Sequence, residues 1–121
     1  MSKASVTMFV RKVGDSAAII DIHGEVTGFA EGALMDAYNQ ATTAGARTVV
    51  LNFKGLDYMN SSGIGLLVTL LIRAKRQNQR LFACGLSEHY RQIFELTRLN
   101  EAISIYSSET EALNAVNSTV H

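Results

Sequence analysis

The chain has 121 residues, 47% of them apolar, with 11 basic and 11 acidic side chains and a formal net charge of +0. A chain of this length buries about two-thirds of the surface its unfolded form exposes, enough for one core without metal or disulfide staples and too little for two domains. Zero net charge offers no broad positive field to phosphates or anionic lipid, which argues against direct nucleic-acid or membrane binding as the main task.

Ser5 to Arg11 alternates, with Val6, Met8 and Val10 on one side and Thr7, Phe9 and Arg11 on the other, as a half-buried strand does. Gly14-Asp15 supplies a turn into the continuously apolar run Ala17 to Ile22, which ends at His23-Gly24, so the two runs read as a hairpin. From Phe29 to Ala44 the apolar positions Phe29, Ala33, Leu34, Ala37, Tyr38 and Ala41 recur at three and four, and Gly45 follows as a stop; this is an amphipathic helix. Thr48 to Phe53 is a β-branched run suited to a central strand, and Gly55 to Met59 leads out of it. Ser61 to Gln77 reads as a second helix. Its last turn gathers Arg73, Lys75 and Arg76, where the helix dipole favours cations. Arg80 to Leu86 is a buried strand, Ser87 opens a third helix through Leu96, Ile103 to Tyr106 is a brief last strand, and Ser108-Glu109-Thr110-Glu111 caps a C-terminal helix. The tail from Ser118 to His121 is expected to fray.

The order β-β-α-β-α-β-α-β-α predicts an α/β fold: a single-layer mixed sheet, mostly parallel, with an antiparallel N-terminal hairpin and helices packed on it. It is expected to form one domain over residues 1–121, ordered over about 5–117. The start of the chain lacks a signal peptide's apolar core, and the longest apolar run, Ile64 to Ile72 interrupted by Gly65 and Thr69, is far short of the roughly 20 residues a spanning helix needs. Cys84, the one cysteine, has no partner and lies in a predicted buried strand, where it packs as a small hydrophobe. A cytoplasmic location follows as the expectation.

Signatures of catalysis are scarce. There is no Gly-x-x-x-x-Gly-Lys loop, and Gly63-Ile64-Gly65 is followed by Val68 where a dinucleotide fingerprint needs a third glycine. His23, His89 and His121 are far apart in sequence and lack a second ligand at helical spacing, so neither a metal nor a cofactor site is expected. A Ser61-His89-Asp57 triad has no Gly-x-Ser-x-Gly elbow to support it. The segment Asp57-Tyr58-Met59-Asn60-Ser61-Ser62-Gly63-Ile64-Gly65 stands out, because it joins a buried strand to an unusually apolar helix. Ser61 or Ser62 can cap the first turn, while Gly63 and Gly65 leave it unscreened; either hydroxyl could also accept a phosphate, whose charge the helix dipole tolerates. The helix has more apolar residues than one buried face requires. Leu67, Val68 and Leu71 are assigned to the core and Ile64 to a partner.

The segment Gly55 to Gly65, following Val49-Val50-Leu51-Asn52-Phe53, resembles the signature of the STAS domain, found in bacterial anti-sigma factor antagonists and at the end of sulfate transporters. The element order is similar across nearly the whole chain. Gly24-Glu25-Val26 resembles the family's loop after its second strand, and Leu96-Thr97-Arg98-Leu99 the segment before its last. In stand-alone members, the first Ser of Asp-Ser-Ser-Gly is phosphorylated by an anti-sigma factor Ser kinase, which holds the unphosphorylated antagonist and releases the phosphorylated one until a PP2C-type phosphatase restores it. The resemblance implies Ser61 as the acceptor, with Ser62 second, in a protein that is substrate rather than enzyme. It implies a partner surface of Gly24, Glu25, Thr27, Asn60, Ser61, Ser62, Gly63 and Ile64. Asn60 and Thr27 stand where the family carries acids, which keeps open an alternative: a STAS module without phosphorylation, binding a nucleotide or lipid or scaffolding a complex.

Overall fold

The computed structural model describes residues 5–118. The strands are β1 (Val6–Val13), β2 (Ala17–Val26), β3 (Thr48–Met59), β4 (Arg80–Cys84) and β5 (Ser104–Tyr106). The helices are α1 (Glu31–Thr43), α2 (Ser61–Arg76), α3 (Glu88–Leu96) and α4 (Glu109–Ser118), with short 3-10 turns at Gly28–Ala30 and Leu99–Glu101. The strands lie in the order β1-β2-β3-β4-β5, the first pair antiparallel and the others parallel. This is the expected mixed sheet. The expected fraying of the tail concerns, beyond Ser118 at the end of α4, residues 119–121, which with His121 lie outside the described residues.

From β2 to β5 each strand lies beside its predecessor, so crossovers of one hand deliver α1, α2 and α3 to the same face. Under them Ile20, Ile22, Val49, Leu51, Phe53 and Leu81 form the main core with Leu34, Tyr38, Leu67, Leu70 and Phe94. The opposite face is left to α4, where Ala112 joins Ile19, Val50, Phe82 and Cys84. Burial pushes the Cys84 thiol up to about 11, which keeps it protonated and in a packing role.

Two element boundaries depart from the pattern reading. β3 runs through Gly55 to Met59 instead of ending near Phe53, and β2 likewise continues through Gly24, Glu25 and Val26, expected as a loop. The two extensions pair with each other across two register shifts, while β4 pairs only as far as Asn52, so this two-stranded ribbon carries the chain to the start of α2. Phe29, expected on the buried face of the first helix, is 80% exposed, because Gly28–Ala30 forms a 3-10 turn and α1 begins only at Glu31.

On the α4 side a charged network fastens that helix to the hairpin. Arg11 donates to both Asp21 oxygens (2.5 and 2.8 Å) and to Glu109 of α4 (2.7 Å), and Asn52 donates to Asp21 at 2.8 Å. The Arg11 guanidinium first, and the Asn52 amide after it, hold the Asp21 carboxyl below the usual range. A carboxylate with a lowered folded pKa contributes stability above its unfolded pKa and loses it as pH falls. The Arg11 side chain is 44% exposed, so although Asp21 is mostly covered, screening by solvent limits the contribution. Asp21→Asn is therefore expected to lower stability at pH 7 by about 1 kcal/mol and to flatten its loss below about pH 4. Urea unfolding of both proteins across that range is the measurement.

Candidate partner-binding surface at the start of α2

The end of β3 is tied down from two sides. The Met59 amide donates to the Tyr90 hydroxyl of α3 at 2.9 Å, and the Asn60 amide donates to the Val26 carbonyl at 3.3 Å. Asn60 then leaves the strand in extended conformation, and its side-chain oxygen accepts the Gly63 amide at 2.9 Å. Neither serine caps α2, contrary to the expectation; Asn60 does, because it alone combines extended backbone with an oxygen three residues before Gly63. Ser61 and Ser62 are the first two helical residues, and both are exposed. Asn60→Ala is expected to cost about 1 kcal/mol, and Asn60→Asp to be nearly neutral, by thermal unfolding.

Four other residues expected in the partner surface also have work in the fold. Gly63 is buried: a Cβ there would lie 2.2 Å from the Val26 carbonyl oxygen and 2.8 Å from the Met59 side chain, so the glycine lets α2 press against β2 rather than open the turn to a partner. Thr27 is buried, and its hydroxyl accepts the Phe29 amide at 3.2 Å to cap the 3-10 turn. Ile64 is half-buried against the main core. Gly24 is half-buried at φ +100°, where a Cβ would meet the Ser5 carbonyl oxygen at 2.3 Å, so its role is backbone geometry. Glu25 is exposed and stands opposite Tyr58.

Helix geometry redistributes the apolar excess of α2. The buried arc holds Gly63, Leu67, Leu70 and Ala74, and Leu71 packs half-buried beside it. Val68, assigned to the core from its spacing, is 40% exposed, because it lies about 100° around the helix from Leu67. The loop after β2 reaches the same place: a Cβ on Gly28 would sit 3.7 Å from the Ser62 Cβ. Phe29 therefore projects into solvent from a turn that touches the start of α2; its high exposure was concealed in the sequence by a perfect helical spacing. His89, the base of the triad considered above, is exposed on α3 with its ring edge-on to Tyr90, and Asp57 is exposed near the end of β3.

Comparison with known proteins now bears on this arrangement. The family model described as STAS domain matches residues 9–112. The chain belongs to the STAS domain family. The STAS domain is 24% identical over 86 residues to an anti-sigma-B factor antagonist of Staphylococcus aureus, covering 71% of this chain and 80% of the relative. It is 30% identical over 61 residues to an anti-sigma-B factor antagonist of Staphylococcus epidermidis, covering 50% and 56% of the two chains. Among solved structures, the anti-sigma factor antagonist SpoIIAA in its unphosphorylated form superposes with a TM-score of 0.72 at 22% identity, over 93% of this chain and 99% of that one. An anti-sigma factor antagonist from Mycobacterium paratuberculosis gives 0.80 at 18% identity, over 94% and 96%. The fold is thus that of the STAS domain, and no helix among the described residues is long and apolar enough to cross a membrane.

Proposed function

We propose that this STAS domain is an anti-sigma factor antagonist of the cytoplasm, a single-domain regulatory binding protein and not a catalyst, switched by phosphorylation of Ser61. The anti-sigma factor that it binds is itself the Ser kinase. In the transfer step the Ser61 oxygen forms a bond to the γ-phosphorus of ATP, the bond to the β-phosphate oxygen breaks, ADP leaves, and the hydroxyl proton passes to a base of the kinase. A PP2C-type phosphatase hydrolyses the ester and resets the domain.

The observation that carries this reading is the division of labour between Asn60 and Ser61. Asn60 takes the cap, so the Ser61 hydroxyl is exposed and none of the described hydrogen bonds uses it. A phosphate there adds about two negative charges at the end of α2 where the helix dipole favours them, so the scaffold survives and only the docking surface changes. Helical geometry also favours Ser61 over Ser62: Ser62 turns toward the Gly28 loop, while Ser61 heads the outward face of α2. Relatives that are named anti-sigma-B factor antagonists support the same role.

The deciding experiment incubates the protein with each purified anti-sigma factor Ser kinase of its own genome and ATP, then maps the modified residue by mass spectrometry. Stoichiometric phosphate on Ser61, lost in Ser61→Ala, is the expected result. Phosphate elsewhere, with Ser61→Ala labelled as well as the parent, overturns the reading.

A further inference from the structure

Along α2 six of the eight exposed residues, all but Ser62 and Thr69, form one line. At 100° per residue Ser61, Gly65, Val68, Ile72, Lys75 and Arg76 fall within one third of the helix circumference, opposite the buried arc. Val68 is 40% and Ile72 50% exposed. Gly65 is in a helix interior, exposed, and a Cβ there would meet nothing within 4 Å, so the fold gains nothing from a glycine that weakens the helix by about 0.5–1 kcal/mol. The helix carries Arg73, Lys75 and Arg76 and no acidic residue, in a chain whose net charge is +0. Arg73 turns toward α1, donating to Asn39 at 2.5 Å and lying over the Tyr38 ring. Lys75 and Arg76 remain exposed at the end of the line. The dipole accounts for cations in a last turn; it does not account for two branched apolar side chains in water or for Gly65.

We infer that this whole face of α2 is a docking surface for an acidic amphipathic segment of the partner protein, which closes over Gly65, sets apolar side chains on Val68 and Ile72, and pairs carboxylates with Lys75 and Arg76. The inference rests on the reading above, in that the partner is the anti-sigma factor whose binding Ser61 controls. The charge complementarity selects the occupant: a basic segment would be repelled by the same two cations, and a wholly apolar one would leave them unpaired at the rim. From Ser61 to Arg76 the face extends about 22 Å, the length of about four helical turns, so one partner helix spans both the switch and the cationic end. A phosphate on Ser61 then acts at one end of a contact whose other end supplies affinity and register.

The test titrates the full-length protein with purified anti-sigma factors of the same genome, in the presence of ADP, by isothermal calorimetry. Ile72→Ser and the double variant Lys75→Glu/Arg76→Glu are each expected to weaken binding about 30-fold, with Lys12→Glu, an exposed cation on β1, as the unaffected control. Thermal unfolding checks that each variant folds. If Ser61→Asp weakens the complex while both far-end α2 variants bind like the parent, the docking inference is overturned and the phosphorylation reading stands. If the α2 variants weaken it and Ser61→Asp does not, the docking surface stands and the switch is overturned. No complex with any anti-sigma factor overturns both.

Discussion

Ser61→Asp is expected to weaken binding to the anti-sigma factor about a hundredfold, roughly 2.7 kcal/mol, while shifting the thermal midpoint by no more than a few degrees. Two magnitudes set the contrast. Against a partner carboxylate about 4 Å away, one new charge is repelled by about 4 kcal/mol at an effective dielectric near 20, so a hundredfold loss allows for partial relief by solvent and rearrangement. Within the protein the same carboxylate is the first residue of α2, exposed, with no side chain to displace and a dipole that favours it by about 0.3–1 kcal/mol. Binding measured by calorimetry and stability measured by thermal unfolding must therefore separate. A variant that lost affinity only in proportion to lost stability would show that Ser61 supports the fold and not the switch. Phosphate, with about twice the charge, should act in the same direction and more strongly.

How far the sequence foretold this surface varied with the kind of physics involved. The strand and helix order was legible because hydrophobic period reports it directly: Val49-Val50-Leu51 needs a covered sheet, and Ile64, Leu67, Val68, Leu71 and Ile72 recur at helical spacing. The serine pair was legible from its position between strand and helix. What stayed hidden were one-residue choices that depend on neighbours distant in sequence. The cap fell to Asn60, and not to a serine, because the Val26 carbonyl fixes the Asn60 backbone in extended form. Val68 and Leu70 are equally apolar, and only the angle at which Gly63 seats the helix against Val26 decides that Leu70 is buried and Val68 exposed. Phe29 fits the spacing of α1 yet stands in solvent, because a 3-10 turn precedes the helix and breaks its phase. Gly24 and Thr27 suggested a partner loop by resemblance, and their geometry shows backbone and capping roles on which the position of that loop depends.

The two glycines of α2 should respond to the same substitution with opposite sign. Gly63→Ala places a methyl 2.2 Å from the Val26 carbonyl oxygen, which the Asn60 amide holds, and 2.8 Å from the Met59 Cγ. The Val26 carbonyl cannot retreat without breaking that hydrogen bond, so α2 must lift, and the loss is expected to be about 2–3 kcal/mol, or about 10 °C in thermal midpoint. Gly65→Ala adds a methyl in open space and relieves the entropy cost of a helical glycine, which should raise stability by about 0.5–1 kcal/mol. If Gly63→Ala unfolds at the parent's temperature, the close contact between α2 and β2 is not what seats the helix, and the exposed line from Ser61 to Arg76 loses its basis. If Gly65→Ala gains stability and yet weakens the anti-sigma factor complex, its glycine serves the approach of another chain, since within this one it serves nothing.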